Sequence, residues 1–257
     1  MKKTTVFLII IMCALTMLAC NAIPKSIKNS FTYCHYNGKY TGIDTLINID
    51  GYYEEMSINK WPCTKTLQNK SGYYIDTVGY DINTAYLRFM FYDNGLIAYN
   101  INDRYYDDRK KEHIKKDISS FLKDFFENSE APGANYFYGN EWGSYIICGD
   151  TIKVQGFYRS MSLNDGWGAW ESWYKVIDQN TIERINSFSL PEKNEPSEAS
   201  LPPPFERIGG HLPTFIPIPV KPPSDKSWIL KEKWFWCDED KWKNFMNGLP
   251  DSKRRRK

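Results

Sequence analysis

Four tryptophans are the residues best suited to contact a ligand. Trp167, Trp170 and Trp173 recur at intervals of three beside a glycine-rich turn at residues 165–168, and Trp142 precedes them. Flat indole rings can stack on sugar rings when they are exposed, so the pattern predicts a ligand platform for a glycan. The alternative is packing in a core, because each large aromatic side chain buries about 150–250 Å².

Neighbouring carboxylates could support a different chemistry. Acidic residues are adjacent at Glu54 and Glu55, at Asp107 and Asp108, and at residues 238–240. Glycoside hydrolysis uses two carboxylates that flank the scissile bond. Such pairs normally come from separate strands facing a cleft, and the alternative for adjacent acids is a solvated loop or a helix cap. A glycan-acting hydrolase is therefore the alternative to a non-enzymatic function.

The three histidines, His35, His113 and His211, are far apart in the sequence and lack the spacing of a metal site. A helical zinc motif places two histidines four residues apart, with a glutamate next to the first. The sequence also lacks the GxSxG, P-loop and GxGxxG motifs. It therefore predicts no catalytic residue, no metal and no cofactor, and we expect a protein that is not an enzyme.

The N-terminal segment predicts export. Lys2 and Lys3 precede an apolar stretch at residues 6–18, which is short for a membrane span because a transmembrane helix needs about 20 apolar residues. Small Ala19 then precedes Cys20. A positive start, a short apolar stretch and a small residue before the cleavage point are typical of a signal peptide.

Residues 17–20 (Met-Leu-Ala-Cys) resemble the lipobox of bacterial lipoproteins. The resemblance implies removal of residues 1–19, a diacylglycerol on the Cys20 thiol and an acyl chain such as palmitate on its new amino group. Such chains anchor stably, since each buried CH₂ contributes about 0.8 kcal/mol. In Gram-negative lipoproteins an Asp after the cysteine favours the inner membrane, so Asn21 implies the outer membrane, with either face open. The alternative is an ordinary secretory signal with an incidental cysteine.

Exported proteins meet oxidising conditions, so the remaining cysteines could form disulfides. These are Cys34, Cys63, Cys148 and Cys237, and none lies in a Cys-x-x-Cys motif. Four cysteines allow three pairings, of which sequence adjacency favours Cys34–Cys63 with Cys148–Cys237. Four buried free thiols are the alternative.

The near-neutral charge of the whole chain hides an uneven distribution. The chain has 33 Lys and Arg against 31 Asp and Glu, but two of the lysines belong to the signal and five basic residues end the chain. The remaining body is acidic, with a net charge of −5, so we expect no nucleic-acid partner. With 42% hydrophobic and 16% aromatic residues, the chain is also unlike a disordered one.

Most of the body has the pattern of β-strands. An Asn-Gly pair at residues 94–95 predicts a tight hairpin, and short links at 149–150 and 178–180 predict two more. Strands joined by such short links are antiparallel. The predicted strands are residues 31–36, 41–49, 73–78, 86–92, 96–101, 142–148, 151–158, 171–177, 181–188 and 227–237.

Three segments depart from the strand pattern. Residues 107–130 carry apolar residues at helical spacing, which predicts one long amphipathic helix packed on the sheet. Residues 190–223 hold ten of the 14 prolines, which predicts an extended loop, because proline lacks the N–H that a strand donates. Asp238 can cap a short C-terminal helix.

These elements predict a β-rich α+β fold with a mainly antiparallel sheet, either a sandwich or a lipocalin-like barrel, one long helix and one short C-terminal helix. Residues 142–155 and 173–185 resemble the strand–turn–strand pieces of small lipocalin-like barrels in exported lipoproteins. The predicted organisation is a signal at 1–19, a tether at 20–30, one domain at 31–247 that includes the proline-rich loop, and a basic tail at 248–257.

The sequence favours a non-enzymatic binding or accessory module of the cell envelope, held at the membrane by lipid on Cys20. A glycan or another envelope protein is the expected partner. A structural envelope protein is a further alternative to the hydrolase. The residues do not identify the ligand.

Overall fold

The structure, a computed structural model, describes residues 23–35, 40–69, 72–101, 104–107, 112–115, 141–159, 167–190 and 206–250. Cys20, the predicted signal and the last seven residues lie outside this range. Among the described residues, no helix is long and apolar enough to cross a membrane.

Eight antiparallel strands form a closed barrel, which confirms the predicted fold class and selects the barrel over the sandwich. The strands follow one another around the barrel in the order β1-β10-β9-β8-β7-β6-β3-β2, and β2 pairs again with β1. This architecture is compatible with the resemblance to lipocalin-like barrels. The barrel strands are β1 Gly51–Asn69, β2 Gly72–Phe91, β3 Leu96–Tyr99, β6 Glu141–Cys148, β7 Thr151–Arg159, β8 Trp167–Asp178, β9 Thr181–Leu190 and β10 Glu206–Pro217.

Side chains alternate between the two faces of each strand and build two separate cores. At the end of β2, Phe89 and Phe91 face the barrel interior, whereas Met90 and the following Tyr92 belong to a second core on the outside. Both faces of this part of β2 are apolar because both are covered. The interior core consists of Ile43, Ile47, Tyr53, Phe89, Phe91, Ile97, Tyr99, Tyr145, Ile152, Val154, Tyr174 and Ile182.

The outer core is covered by the two ends of the described chain. Helix α1 (Lys25–Ser30) buries Ile27, and the C-terminal segment buries Phe235 and Trp236 against the same face of the barrel. Part of the predicted tether is therefore docked, since Ile23 is also buried.

Cys34 and Cys237 form a disulfide that joins these two covering segments. The pairing favoured by adjacency, Cys34–Cys63 with Cys148–Cys237, is therefore wrong, and Cys63 and Cys148 are free thiols. The reason is a backbone bridge. The His35 N–H donates to the Phe235 carbonyl (2.8 Å), and the Cys237 N–H donates to the His35 carbonyl (3.0 Å).

The segment at 227–237 forms consecutive 3₁₀ turns rather than the predicted strand: Trp228–Lys231 and Lys233–Phe235. Its buried apolar residues come in adjacent pairs, Ile229 with Leu230 and Phe235 with Trp236, which a strand would send to opposite faces. The predicted C-terminal helix is confirmed as α2 (Glu239–Gly248). The Asp238 carboxylate caps it by accepting from the Asp240 and Lys241 N–H groups.

The described part of the predicted long helix is a hairpin instead. Strand β4 (Arg104–Asp107) pairs with β5 (Glu112–Lys115) in a separate two-stranded sheet. Between residues 107 and 115, only Ile114 belongs to the helical pattern of apolar residues. The pattern that predicted a helix therefore comes mainly from residues after 115. Residues 116–130 lie outside the described residues.

Strand β10 lies inside the predicted proline-rich loop, so that prediction is wrong for residues 206–217. The β1–β10 register shifts between Glu54 and Met56, and Leu212 and Pro213 are left without ladder partners. A proline at such a bulge removes no backbone hydrogen bond from the ladder.

Two further predicted strands, at 31–36 and 41–49, are also not strands. In the first, the described residues are extended with a single bridge at His35. In the second, a short 3₁₀ turn (Ile43–Thr45) inserts Ile43 and Ile47 into one end of the barrel. Both segments carry apolar residues because they cover a core. Apolar residues indicate burial, and a buried segment need not belong to a sheet.

Candidate functional site

The two ends of the barrel differ. The short turns at residues 92–95, 149–150 and 179–180 lie at one end, which the 3₁₀ turn closes. There the Asn48 N–H and the Tyr53 hydroxyl both donate to the Gln179 carbonyl, at 2.8 and 3.0 Å. The long connections, at 100–140, 160–166 and 191–205, all leave from the opposite end. We call this second end the open end.

A cluster of three charged side chains faces the interior toward the open end. Glu55 on β1 is only 4% exposed, and its Oε1 accepts from Arg184 Nη2 of β9 (3.1 Å) and Arg207 Nη1 of β10 (2.8 Å). We call these residues the arginine–glutamate cluster. Glu55 faces inward because Glu54, the residue before it, faces outward and pairs with Arg88.

The arginine–glutamate cluster carries one positive charge in excess. Glu55 contributes one negative charge, and its Oε2 is buried without a hydrogen bond. Burial lowers the pKa of the Arg184 guanidinium, but Tyr174, Glu55 and Tyr99 outweigh burial and raise that pKa above its ordinary value. Both arginines are about one-third exposed or more, so solvent reaches them. This combination suits an incoming anion.

Aromatic residues line the interior beside the cluster. The Tyr99 and Tyr174 hydroxyls are 3.4 Å apart, and burial raises the pKa of both. The Trp170 ring lies 4.1 Å from the Tyr99 ring and covers Gly156, where a Cβ would be 2.4 Å from the indole. Burial also raises the pKa of Glu141, against a hydrogen bond from Asn100 (3.3 Å). The open end therefore offers flat apolar surface next to charge.

The four tryptophans do not form one exposed platform. Trp142 is fully buried in the outer core, and Trp167 packs beside that core against Trp228 (5.7 Å). Trp170 faces the interior, whereas Trp173 lies on the outside. Strand residues three positions apart face opposite sides of the sheet. The prediction that these tryptophans share one platform is therefore wrong.

The predicted carboxylate pairs are separated or engaged. Glu54 and Glu55 face opposite sides of β1, and each is paired with arginine. Asp238 caps α2, and Glu239 forms ion pairs with lysines. Asp107 pairs with Glu112 in the β4–β5 ladder, and Asp108 lies outside the described residues.

The histidines lie in three different places. His35 is buried in the outer core, His113 is on β5, and His211 is exposed on β10. Within the described ranges, no group of three or more His, Cys, Asp or Glu is placed to hold a metal ion.

Sequence reasoning missed Arg184 and Arg207. Glu55 drew notice only as a neighbour of Glu54, and its arginine partners lie 129 and 152 residues later. No local motif marks either arginine. The alternation of β9 offered a weak signal, because it places Arg184 on the same face as buried Ile182.

Comparison with known proteins does not assign the chain to a family. No protein-family model, no curated protein and no solved structure matches it.

Proposed function

We propose that this chain is a lipid-anchored lipoprotein of the outer membrane whose barrel is a non-enzymatic binding module. The observation that carries the binding role is the arginine–glutamate cluster, a positively charged group beside aromatic rings inside the barrel, facing the open end. In barrels of this size the interior holds side chains or one small ligand. The loops at one end of a rigid scaffold are also where binding residues concentrate.

The lipid anchor rests on the lipobox-like residues 17–20 and agrees with the docking of the N-terminal segment. Ile23 is already buried on the barrel wall, so only Asn21 and Ala22 separate it from Cys20. A tether of two residues would hold the barrel close to the lipid surface. A ligand would then be bound near the membrane rather than far from it.

The binding role is tested by hydrogen exchange on the purified mature chain with three classes of probe: soluble glycan fragments, the organic carboxylates benzoate and laurate, and short peptides. We expect at least one class to slow exchange in β8 and β9. We also expect Arg207→Gln to weaken that effect, because it removes one of the two cations. Arg88→Gln is the matched control, since Arg88 pairs with Glu54 on the outer face. Protection by no class of probe would refute a binding role for this end.

The anchor is tested separately by membrane fractionation. Cys20→Ala should release the protein into the soluble fraction and abolish labelling by radioactive palmitate. Cys148→Ala is the control, because Cys148 is an exposed free thiol on the barrel. Unchanged membrane association of the Cys20 variant would show that the lipobox interpretation is wrong.

A further inference from the structure

The seam between β9 and β10 is the weakest junction of the barrel. The two strands share one ladder pair, Thr181 with Thr214, and one additional bond from the Phe215 N–H to the Asn180 carbonyl (2.7 Å). Every other junction has at least three ladder pairs. The barrel is therefore closed at this seam only next to its closed end.

Beyond that pair, two strand edges face the seam without bonding to each other. Residues 182–190 of β9 pair with β8 on their other side, and residues 206–211 of β10 pair with β1. Within these ranges no backbone bond crosses the seam. An unpaired edge of this kind is a ready template for another strand.

Exposed aliphatic side chains flank the same seam. Ile185 on β9 is 49% exposed, and Ile208 and Leu212 on β10 are 46% and 41% exposed. Exposed large aliphatic side chains on both strands that border the seam suit contact with apolar side chains of a partner.

The arginine–glutamate cluster lies at the narrow end of the seam. Glu54 pairs with Thr214, which is the last residue joined to β9, and Glu55 comes next on β1. Arg184 lies three residues beyond Thr181. An anion entering along the seam would therefore meet the excess positive charge where the strands converge.

We propose that the seam binds an extended peptide by strand addition, with the free carboxyl terminus of the peptide held by Arg184 and Arg207. The peptide runs antiparallel to β9, so that its carboxyl end points toward the Thr181–Thr214 pair. Alternate apolar side chains of the peptide contact Ile185 and Ile208. This proposal rests on the proposed binding function and names the class of ligand.

A peptide accounts for three separate features that a simpler ligand would not. A fatty acid could neutralise the arginines and cover the aliphatic side chains, but it would leave the backbone edge of residues 182–190 unpaired. A folded protein surface could contact the aliphatic residues, but it would not place a carboxylate inside the seam. Strand addition with capture of a terminal carboxylate satisfies the edge, the apolar contacts and the charge together.

The test compares four probes by isothermal titration with the mature chain. They are acetyl-KVTVTV with a free carboxyl terminus, the same peptide as its amide, the acid peptide N-methylated at alternate residues, and laurate. We expect the acid peptide to bind and the amide to bind about tenfold more weakly or worse, because hydrogen bonds to a charged group are stronger than those to a neutral one. N-methylation should abolish binding, since it removes the donors that pair with the strand edge.

Protein variants locate the site. Arg184→Gln and Arg207→Gln should each weaken the acid peptide about tenfold and leave the amide unchanged, whereas Arg88→Gln should change neither. Glu55→Gln should tighten the acid peptide, because it removes the competing carboxylate. Hydrogen exchange on each variant confirms that the barrel is folded, and bound peptide should slow exchange in residues 182–190.

Each other result overturns part or all of the proposal. Equal binding of the acid and the amide would refute carboxylate capture, and equal binding of the N-methylated peptide would refute strand addition. If laurate or a glycan protects the open end and no peptide does, the peptide proposal fails while the proposed binding function stands. If no probe of any class protects the open end, both fail.

Discussion

The buried His35 side chain makes the free energy of unfolding fall as the pH falls. The side chain is only 2% exposed, and its Nδ1 has no hydrogen-bond partner. Its ring stacks on Phe235 (5.7 Å between centroids) and meets the edge of Trp236 (4.8 Å). Burial in this apolar site, with a smaller effect from Lys241, lowers the pKa of the imidazole to about 4.

The sign and size of the effect follow from proton linkage. The unfolded chain binds the proton with a pKa near the ordinary 6.5, whereas the folded chain binds it only near 4. Between these values the unfolded state holds more protons, so the free energy of unfolding falls as the pH falls through this window. The loss is about 2 kcal/mol at pH 5 and reaches about 3 kcal/mol below pH 4, relative to pH above 7.

The assay is urea unfolding of the purified protein at pH 7.5, 6 and 5, compared with the same protein carrying His35→Leu. Leucine fills a similar volume and cannot be protonated. The variant should lose stability at pH 7.5 through lost ring stacking, yet its stability should depend less on pH. We expect the difference between the two proteins to shrink by about 2 kcal/mol between pH 7.5 and 5.

A matched control separates His35 from the other groups that titrate in this range. Ile229→Val changes the same outer core without removing a titratable group, so it should lower the free energy of unfolding equally at all three pH values. Parallel pH profiles for the parent and the His35 variant would refute the reasoning, because they would mean that the buried imidazole takes up its proton equally in both states.

Three further predictions concern the covering segments and the closed end. Replacing Cys34 and Cys237 together by serine should lower the free energy of unfolding by up to about 5 kcal/mol, because the disulfide spans 203 residues. Urea unfolding without reductant measures this loss, and a loss below about 1 kcal/mol would contradict the prediction. Phe235→Ala should cost about 3–5 kcal/mol in the same assay, since the ring is fully buried in the outer core, and a surface-like effect would place it outside that core. Gly95→Ala should lower stability by about 1 kcal/mol because Gly95 has φ +87°, and no change in the unfolding midpoint would argue against that turn.

The turns were predictable because their signals are local. The Asn-Gly pair at 94–95 and the Gly-Asp pair at 149–150 both join neighbouring barrel strands. Gly95 and Gly149 adopt the positive φ that the pairs suggest, +87° and +64°. Asp238 likewise caps the helix that starts beside it. In each case the deciding interaction lies within a few residues.

The outer core was not predictable because it depends on distant pairs. The segment around Cys34 is held over the barrel by a bridge to Trp236, about 200 residues later, and by Gln155, which accepts from the Tyr33 N–H across 122 residues. Cysteines that are neighbours in the sequence had no reason to be neighbours in space, since Cys63 belongs to the long β1–β2 hairpin and Cys148 is the last residue of β6.

The same limit applies to the candidate site. The two arginine partners of Glu55 come from β9 and β10, which are distant in the sequence. The prolines of β10 also made that segment resemble a loop. A high density of prolines predicts a loop because each proline lacks a backbone N–H. A strand can still form when each proline lies at a position whose N–H would not bond within the ladder. Pro213 meets that condition at the bulge in β10.

In the proposed complex, the arginine–glutamate cluster couples closure of the barrel to peptide binding. Glu55 on β1 joins Arg184 on β9 across β10, in the region where β9 and β10 have no ladder pairs, so the ion pairs replace backbone bonds in holding the seam. A peptide carboxylate that binds Arg184 and Arg207 must compete with Glu55 for them, and this competition lowers the affinity of the peptide. The added strand, however, supplies the backbone bonds that the seam lacks. Binding should therefore strengthen the seam most where the free barrel is weakest.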